Sequence, residues 1–215
     1  VYKSKLFFAT KARMGVLEGV YNAKAGHPGG SLSICDVLSY LYNVEMHVNP
    51  KNPKDPGRDR LVLSKGHAAP ALYATLALKG YFPVEDLKTL RKSDSYLQGH
   101  PNMDKVPGID MSTGSLGQGI SVAVGMALGG KLDKADYRVY AILGDGEIEE
   151  GQVWEAAMLA GNKGLDNLVA IVDNNNLQID GTMEEVNSPY PIPDKFRAFN
   201  WNTVEIDGHD FDQIE

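Results

Sequence analysis

The chain has 215 residues, 43% of them hydrophobic, with a formal net charge of −7. This length and composition predict one sizeable domain spanning residues 1–215, which we expect to be incomplete at its C-terminal end. The acidic balance argues against a nucleic-acid partner, the lack of an apolar run of roughly 20 residues argues against a membrane span, and the single cysteine excludes an intrachain disulfide framework and favours a cytoplasmic protein.

The first two predicted helices are separated by a glycine and proline break. Apolar residues at alternating three- and four-residue steps predict a helix over residues 4–23, and we interpret its stripe as core or interface. The stripe consists of Phe7, Thr10, Met14, Leu17 and Tyr21. The break at residues 26–28 leaves His27 in a turn before a second helix that runs through Tyr42. Cys35, in the apolar part of that helix, is expected in the core.

Strand and helix signals then alternate, which is typical of an α/β protein. The predicted elements are, in order, a strand at 60–63, a turn at 64–67, an Ala/Leu-rich helix ending at Gly80, a charged helix at 84–92, a long loop at 93–114, a small-residue helix opening at 114–119, a strand at 137–143, a helix at 150–160, a strand at 168–173, a proline-rich crossing at 186–196, a strand at 202–206 and a helix from Phe211.

Polar side chains follow the two strands in the centre of the chain. Asp145 ends the first strand within Gly144-Asp145-Gly146, and residues 174–176, all asparagine, follow the second. Alone, Asp145 could cap a helix and the asparagines could form a polar turn. Parallel strands bring both groups to one edge of the sheet, and a carboxylate with an amide oxygen is a ligand set suited to Mg²⁺ or Ca²⁺. The flanking glycines allow backbone N–H groups to approach a diphosphate closely.

These residues resemble a known family. Gly144-Asp145-Gly146, followed after 28 intervening residues by Asn175, is similar to the thiamine diphosphate binding motif. Five further segments resemble transketolase segments and occur in transketolase order over nearly the whole chain. They are Ala25-Gly26-His27-Pro28-Gly29-Gly30, Ser64-Lys65-Gly66-His67, Gln98-Gly99-His100-Pro101, Thr113-Gly114-Ser115-Leu116-Gly117-Gln118-Gly119 and Ile206-Asp207-Gly208-His209-Asp210.

The resemblance implies the residues that bind thiamine diphosphate and Mg²⁺ on a doubly wound, mostly parallel sheet with helices on both faces. The implied metal ligands are Asp145, Asn175 and the backbone carbonyl of Leu177. Gly146 is expected to donate its backbone N–H to the diphosphate. A cofactor-lining segment reaches the aminopyrimidine through backbone groups and consists of Gly114, Ser115 and Leu116. Ser115 stands where many relatives have proline.

Four of the five histidines directly follow glycine, which places each ring on a turn. Such a histidine can be a hydrogen-bonding turn residue, but the resemblance favours catalytic roles around the thiazolium and the sugar, where neutral imidazoles donate to substrate hydroxyls or relay protons. The four are His27, His67, His100 and His209, with His67 also expected to contact the cofactor. We expect His47 to be structural.

An acidic cluster follows the glycine-rich turn. Its members are Glu147, Glu149, Glu150 and Glu155. The simplest interpretation is a solvated helix N-terminus, where carboxylates interact favourably with the helix dipole. By resemblance, Glu150 and Glu155 match carboxylates near a subunit contact, and Glu150 is also a candidate cofactor-binding residue.

The implied activity is that of a transketolase, which transfers two-carbon ketol units from ketose phosphates to aldose phosphates. The resemblance places the activating glutamate and most phosphate-clamping arginines on a second, pyrimidine-binding domain or subunit, so we expect this chain to be inactive alone and to act in a homo- or hetero-oligomer such as a dimer.

Two alternatives stay open from the sequence. One is an enzyme similar to 1-deoxyxylulose-5-phosphate synthase. That family shares the Gly144-Asp145-Gly146 and asparagine motifs but lacks the sequence patterns of the His27 and His100 segments. The other is a non-catalytic structural or regulatory module of the same fold. A nicotinamide-binding domain is disfavoured because no GxGxxG follows a strand.

Overall fold

The computed structural model describes residues 2–215 and confirms the α/β fold with a parallel sheet. The sheet has the order β1-β2-β3, and both strand pairs are parallel. Its strands are β1 (Arg60–Leu63), β2 (Val139–Gly144) and β3 (Leu168–Asp173). The register places Gly144 opposite Asp173, so the two polar strand ends meet as the sequence predicts.

Helices cover both faces of this sheet. In chain order, the first six helices are α1 (Tyr2–Ala23), α2 (Pro28–Ser33), α3 (Cys35–Tyr40), α4 (Ala69–Lys79), α5 (Gln118–Asp133) and α6 (Gly151–Lys163). Alternate strand side chains point to opposite faces, so the sheet divides the apolar interior into two cores. Leu61, Leu63, Tyr140 and Ile142 belong to the core with α1, α3 and α4. Val62, Val139, Ala141 and Leu143 belong to the core with α5 and α6.

Shorter elements complete the described chain. They are 3-10 turns at Gly66–Ala68, Val84–Thr89 and Glu147–Glu149, a π turn at Leu41–Glu45, a hairpin of β4 (Leu177–Gln178) and β5 (Gly181–Thr182), and the helices α7 (Met183–Val186), α8 (Ile192–Ala198) and α9 (Phe211–Ile214). Among residues 2–215, no helix combines the length and apolar character needed to cross a membrane.

Two predicted helices differ from the structure. The second helix is divided at Ile34 into α2 and α3 and then continues as a π turn. The charged helix predicted at 84–92 is a 3-10 turn ending at Thr89. Leu87 of this turn lies so close to α1 that a Cβ on Gly15 would sit 2.9 Å from it. Packing against α1 therefore decides the conformation of this turn.

The strand predicted at 202–206 is wrong. Residues 201–207 form neither helix nor strand, and Val204 is 75% exposed. A β-branched alternating pattern favours extended backbone, but a strand also requires a hydrogen-bonding neighbour. A side-chain hydrogen bond instead holds the chain against α6 just before residues 202–206, where Trp201 Nε1 donates to the Ala157 carbonyl at 2.9 Å. The proline-rich crossing also contains α8.

The apolar stripe of α1 does not face the core. Phe7 is 65% and Tyr21 71% exposed, whereas Ala9, Ala12 and Val16 on the opposite face are fully buried. Small residues face inward because α1 packs closely on its neighbours. Of the two interpretations of the stripe, core is excluded and interface stays a prediction. Cys35 is buried as expected, and burial raises the pKa of its thiol to about 12.

We predict that Gly119→Ala destabilises the fold by about 1–3 kcal/mol, because a Cβ there would lie 2.6 Å from Ser64 Cα, and overpacked contacts cost energies of this order. Gly125→Ala, on the same helix, is the matched control. Nothing lies within 4 Å of its Cβ position, so we expect a gain of about 0.5–1 kcal/mol from helix propensity. Urea unfolding measures both, and equal stability of the two variants would contradict the packing of α5 on β1.

Candidate functional site

Asp145 lies where the carboxyl ends of β2 and β3 meet. Its backbone N–H donates to the Asp173 carbonyl at 3.1 Å, which extends the strand pairing by one residue. The Asp145 side chain is buried, with 2% of the residue exposed. Its Oδ1 accepts from the Gly146 N–H at 2.9 Å and its Oδ2 from the Asn176 N–H at 2.6 Å. The carboxylate is thus held in one orientation by backbone donors from two loops.

The charge at these strand ends is unevenly compensated. Burial raises the pKa of Asp145, and the nearby Asp173 carboxylate adds to this, against the backbone hydrogen bonds. Asp173 forms an ion pair with Lys65, whose Nζ also donates to the Gly30 carbonyl at 2.8 Å. The hydrogen bonds to Asp145, by contrast, come from neutral backbone groups. A divalent cation beside Asp145 would offset its desolvation, so the residues present fit a metal with oxygen ligands.

Asn175 is held between the two strand ends and the following hairpin. Its Nδ2 donates to Asp173 Oδ2 at 3.0 Å, and its Oδ1 accepts from the Leu177 N–H at 3.0 Å. An amide oxygen has a second lone pair that can meet a cation. Across residues 2–215, no group of three or more His, Cys, Asp or Glu side chains is arranged to hold a metal. The expected site depends on amide and carbonyl oxygens, and the ligand roles of Asp145, Asn175 and Leu177 stay predictions.

Three of the four predicted histidines lie together. The rings of His27 and His67 are 5.3 Å apart in an edge-to-face arrangement. A Cβ on Gly114 would lie 3.1 Å from the His100 ring, and one on Gly30 would lie 3.3 Å from His67 Nε2. Glycines at both positions therefore let the backbone reach the imidazoles.

The environment keeps two of these rings neutral. Burial lowers the pKa of His67 to about 4, with further contributions from Lys65, His27 and His100. Burial also lowers the pKa of His100, helped by Arg91 and His27. At neutral pH these imidazoles carry one donor and one acceptor nitrogen each, which agrees with the predicted hydrogen-bonding role.

His209 is held by a different group of residues. Its Nδ1 lies 2.8 Å from Asp36 Oδ2, and Arg13 contacts the same carboxylate with both terminal nitrogens. The pKa of Asp36 is lowered because the hydrogen bonds from Arg13 and His209 outweigh its burial. This cluster joins the turn before α9 to α1 and α3. The catalytic role of His209 stays a prediction.

The predicted cofactor-lining segment lies against the end of β1. Gly114 has a φ of +154°, a conformation that side chains rarely adopt, and a Cβ on Gly66 would lie 2.7 Å from the Gly114 nitrogen. Ser115 and Leu116 are exposed. On the other side of the site, a Cβ on Gly146 would lie 3.3 Å from Gln178 Cβ, so this turn is also closely approached. The segment is thus exposed at Ser115 and Leu116, whereas the Gly146 N–H of the turn is paired with Asp145 Oδ1.

The interpretation of the acidic cluster is wrong for Glu147, which is 2% exposed. Its carboxylate accepts hydrogen bonds from Ser64 Oγ, from the Gly117 N–H at 3.0 Å and from the Gly144 N–H at 3.0 Å. Burial raises the pKa of Glu147, while these three donors oppose the shift. The other members of the cluster reach solvent: Glu149, Glu150 and Glu155.

Sequence reasoning also missed the part played by Lys65, which is fully buried. Its ammonium joins the end of β1 to α2 through Gly30 and to β3 through Asp173. A lysine two residues after the end of the apolar strand Arg60–Leu63 and directly before a glycine was the available signal. Lysine is rarely buried unless it is paired, so such a position favours an ion pair within the site.

The comparisons with known proteins agree with this geometry. The family model described as "Transketolase, thiamine diphosphate binding domain" matches residues 5–215. A 6-deoxy-6-sulfo-D-fructose transketolase subunit from Clostridium sp. (strain MSTE9) is 54% identical over 96% of this chain and 75% of its own length. A subunit of the apulose-4-phosphate transketolase from Phocaeicola vulgatus is 50% identical over 95% of this chain and 72% of its own length.

Solved structures extend the similarity to the fold. Transketolase from Leishmania mexicana superposes with a TM-score of 0.93 at 31% identity, covering 98% of this chain and 33% of the other. Transketolase from Campylobacter jejuni gives a TM-score of 0.91 at 36% identity, covering 96% and 34%. The chain thus spans about a third of the length of these solved relatives. Since the family model covers nearly all of it, the chain belongs to the transketolase family, of which it carries the thiamine diphosphate binding domain.

Proposed function

We propose that the chain is the diphosphate- and metal-anchoring part of a transketolase that transfers two-carbon ketol units between sugar phosphates. The observation that carries this proposal is the buried Asp145 carboxylate, oriented by two backbone N–H groups at the meeting point of β2 and β3. A carboxylate in this position, beside a second one already neutralised by Lys65, favours a divalent cation and the anionic ligand that the cation brings.

Mg²⁺ would be held by Asp145, Asn175 and the carbonyl of Leu177, with Ca²⁺ as the other hard cation that suits these ligands. The Gly146 N–H, which donates to Asp145 Oδ1 in the structure, would turn to the diphosphate. The aminopyrimidine would contact backbone groups of the segment Gly114, Ser115 and Leu116. Thiamine diphosphate supplies, when bound, the electron sink for breaking and forming a carbon–carbon bond beside a carbonyl. Exposed Glu150, at the start of α6, is proposed to act near the cofactor at the subunit contact.

The chain's own contribution to turnover is proton handling and orientation. His27, His67 and His100 lie together, and the lowered pKa values of His67 and His100 keep those imidazoles able both to donate and to accept. Neutral imidazoles in this cluster can bind sugar hydroxyls and transfer protons without placing a permanent charge beside the sugar. Glycines at positions 30 and 114 allow the close approach that orients these rings.

The substrates are proposed to be ketoses and aldoses with a terminal anionic group. The names of two relatives include a sugar phosphate and a sulfo-sugar. Both names also describe subunits, which supports the proposal that the partner of this chain is a complementary, pyrimidine-binding subunit. That partner would supply the activating glutamate and the arginines that clamp the anion. We propose that the two components form a homo- or hetero-oligomer in the cytoplasm.

We rank this function above the two alternatives from the sequence. A non-catalytic module would have no need for the buried Asp145 and for three clustered histidines. An enzyme similar to 1-deoxyxylulose-5-phosphate synthase is disfavoured by the His27 and His100 segments, whose rings lie in the candidate site.

We predict that thiamine diphosphate binding depends on a divalent metal and that Asp145→Ala abolishes this dependence. Calorimetry of the chain with the cofactor, in Mg²⁺ and in EDTA, measures the effect. Asp166→Asn is the control, since Asp166 is exposed and pairs with Lys131 at the opposite end of the sheet. Unchanged affinity in Asp145→Ala would overturn the metal assignment.

We predict that His100→Ala and His209→Ala weaken sugar turnover in the assembled enzyme while sparing cofactor affinity. Losing one hydrogen bond to a group that is charged, or that becomes charged in the transition state, lowers kcat/KM by roughly 10- to 150-fold. His47→Ala should be neutral, because the side chain of His47 is 91% exposed. A loss of cofactor affinity parallel to the loss of turnover would place the histidine concerned on the cofactor side instead.

We predict that the chain alone has no ketol transferase activity and that adding the complementary pyrimidine-binding domain or subunit creates it. Alone, the chain would leave the thiazolium open to water, where positioning and desolvation are lost. Activity is measured while the two components are titrated, and it should scale with the limiting one. Ketol transfer by the purified chain, free of any partner, would refute this division of the site.

A further inference from the structure

Glu147 connects three segments of the chain that surround the candidate site. Ser64 directly follows β1, Gly117 precedes α5, and Gly144 ends β2. The Glu147 side chain accepts one hydrogen bond from each of them, two on Oε1 and one on Oε2. Each partner lies in a different loop, so the buried carboxylate acts as a three-way link.

The linked segments carry the two halves of the proposed cofactor site. Gly117 directly follows the segment Gly114, Ser115 and Leu116, proposed to line the aminopyrimidine. Gly144 begins the turn with Asp145 and Gly146, proposed to hold the metal and the diphosphate. The distance between the halves is therefore set by a carboxylate behind the site.

We propose that Glu147 is a positioning residue for thiamine diphosphate, which fixes the spacing between its aminopyrimidine and diphosphate subsites without itself belonging to either. The proposal rests on the proposed function, because it assigns the two linked segments to two ends of one ligand. It also explains an acidic residue that the proposed chemistry does not use.

A carboxylate suits this position better than any other side chain. It offers two acceptor oxygens, and the donors are two backbone N–H groups and a hydroxyl. Glutamine keeps the shape but turns one acceptor into an N–H₂ donor, which then opposes a backbone donor. In Glu147→Gln, either Gly117 or Gly144 loses its partner, and the two loops separate.

The test compares a ligand that spans both subsites with one that occupies a single subsite. Calorimetry measures the Kd of thiamine diphosphate with Mg²⁺ and the Kd of inorganic pyrophosphate with Mg²⁺, using the chain together with its complementary subunit. In Glu147→Gln, we expect the first Kd to rise by about 10- to 100-fold, the loss typical of one hydrogen bond to a charged group. We expect the second to change by less than about threefold, since pyrophosphate needs only the diphosphate turn.

Asp110→Asn is the matched control for a buried carboxylate. Asp110 is also buried, accepts from the Leu61 N–H at 2.7 Å and pairs with Arg58, at the opposite end of β1. The melting temperature of Asp110→Asn should fall as much as that of Glu147→Gln, while its Kd values for thiamine diphosphate and for pyrophosphate stay unchanged. If Glu147→Gln does not fold, Ser64→Ala removes the hydroxyl that shares Oε1 with the Gly117 N–H, so the carboxylate is oriented less firmly. Its thiamine diphosphate Kd should then rise while its pyrophosphate Kd stays unchanged, and an unchanged thiamine diphosphate Kd would contradict the positioning role.

The outcomes separate the two proposals. If the wild-type assembly binds no thiamine diphosphate, the proposed function fails. If the wild type binds it and Glu147→Gln binds it equally well, the positioning role of Glu147 is overturned. An equal loss of both ligands would also overturn it, because the carboxylate would then support the diphosphate turn alone.

Discussion

The buried ion pair between Lys65 and Asp173 is the interaction on which the candidate site depends. Lys65 is fully buried, and Asp173 also binds Ser33 Oγ at 2.6 Å and the Asn175 amide. Removing one partner of such a pair leaves a buried charge and costs about 3–5 kcal/mol. Because the lysine neutralises Asp173, Asp145 remains the carboxylate at these strand ends without a basic partner. This local imbalance of charge is the physical basis of the proposed cation site.

Close backbone approach is the second constraint, and it explains the glycines at several positions around the candidate site. The backbone at Gly114 lies against Gly66, the start of α5 lies against Ser64, and the turn at Gly146 lies against Gln178. Loops packed this closely cannot move independently. The buried Glu147 links three of these segments by hydrogen bonds, which would hold the proposed binding groups in place before a ligand binds. Such preorganisation is what binding and transition-state stabilisation require of a site.

The net negative charge of the chain is compatible with an anionic cofactor when the charged residues near the candidate site are considered one by one. Lys65 is already paired, and His67 is neutral at physiological pH, so neither supplies a free positive charge to a diphosphate. In the proposed function, a divalent metal and backbone N–H groups would supply the attraction at the diphosphate. A sugar phosphate, more distant from the metal, would have to find its positive partners on another domain or subunit. The proposed division of the site between two components agrees with where these charges lie.

The sequence alone determined the parallel strands, the meeting of Asp145 with the asparagine loop and the placement of histidines on turns, because these follow from local apolar runs and glycine spacing. Only the tertiary structure decided which charged residues are buried. Lys65 meets Asp173 across 108 residues and His209 meets Asp36 across 173, and no local pattern encodes such pairings. The same holds for Glu147, whose neighbours in sequence indicated solvent, for residues 202–206, which lack a strand partner, and for the exposed stripe of α1. Burial and pairing are set by distant segments, whereas helix and strand periodicity are set by near ones.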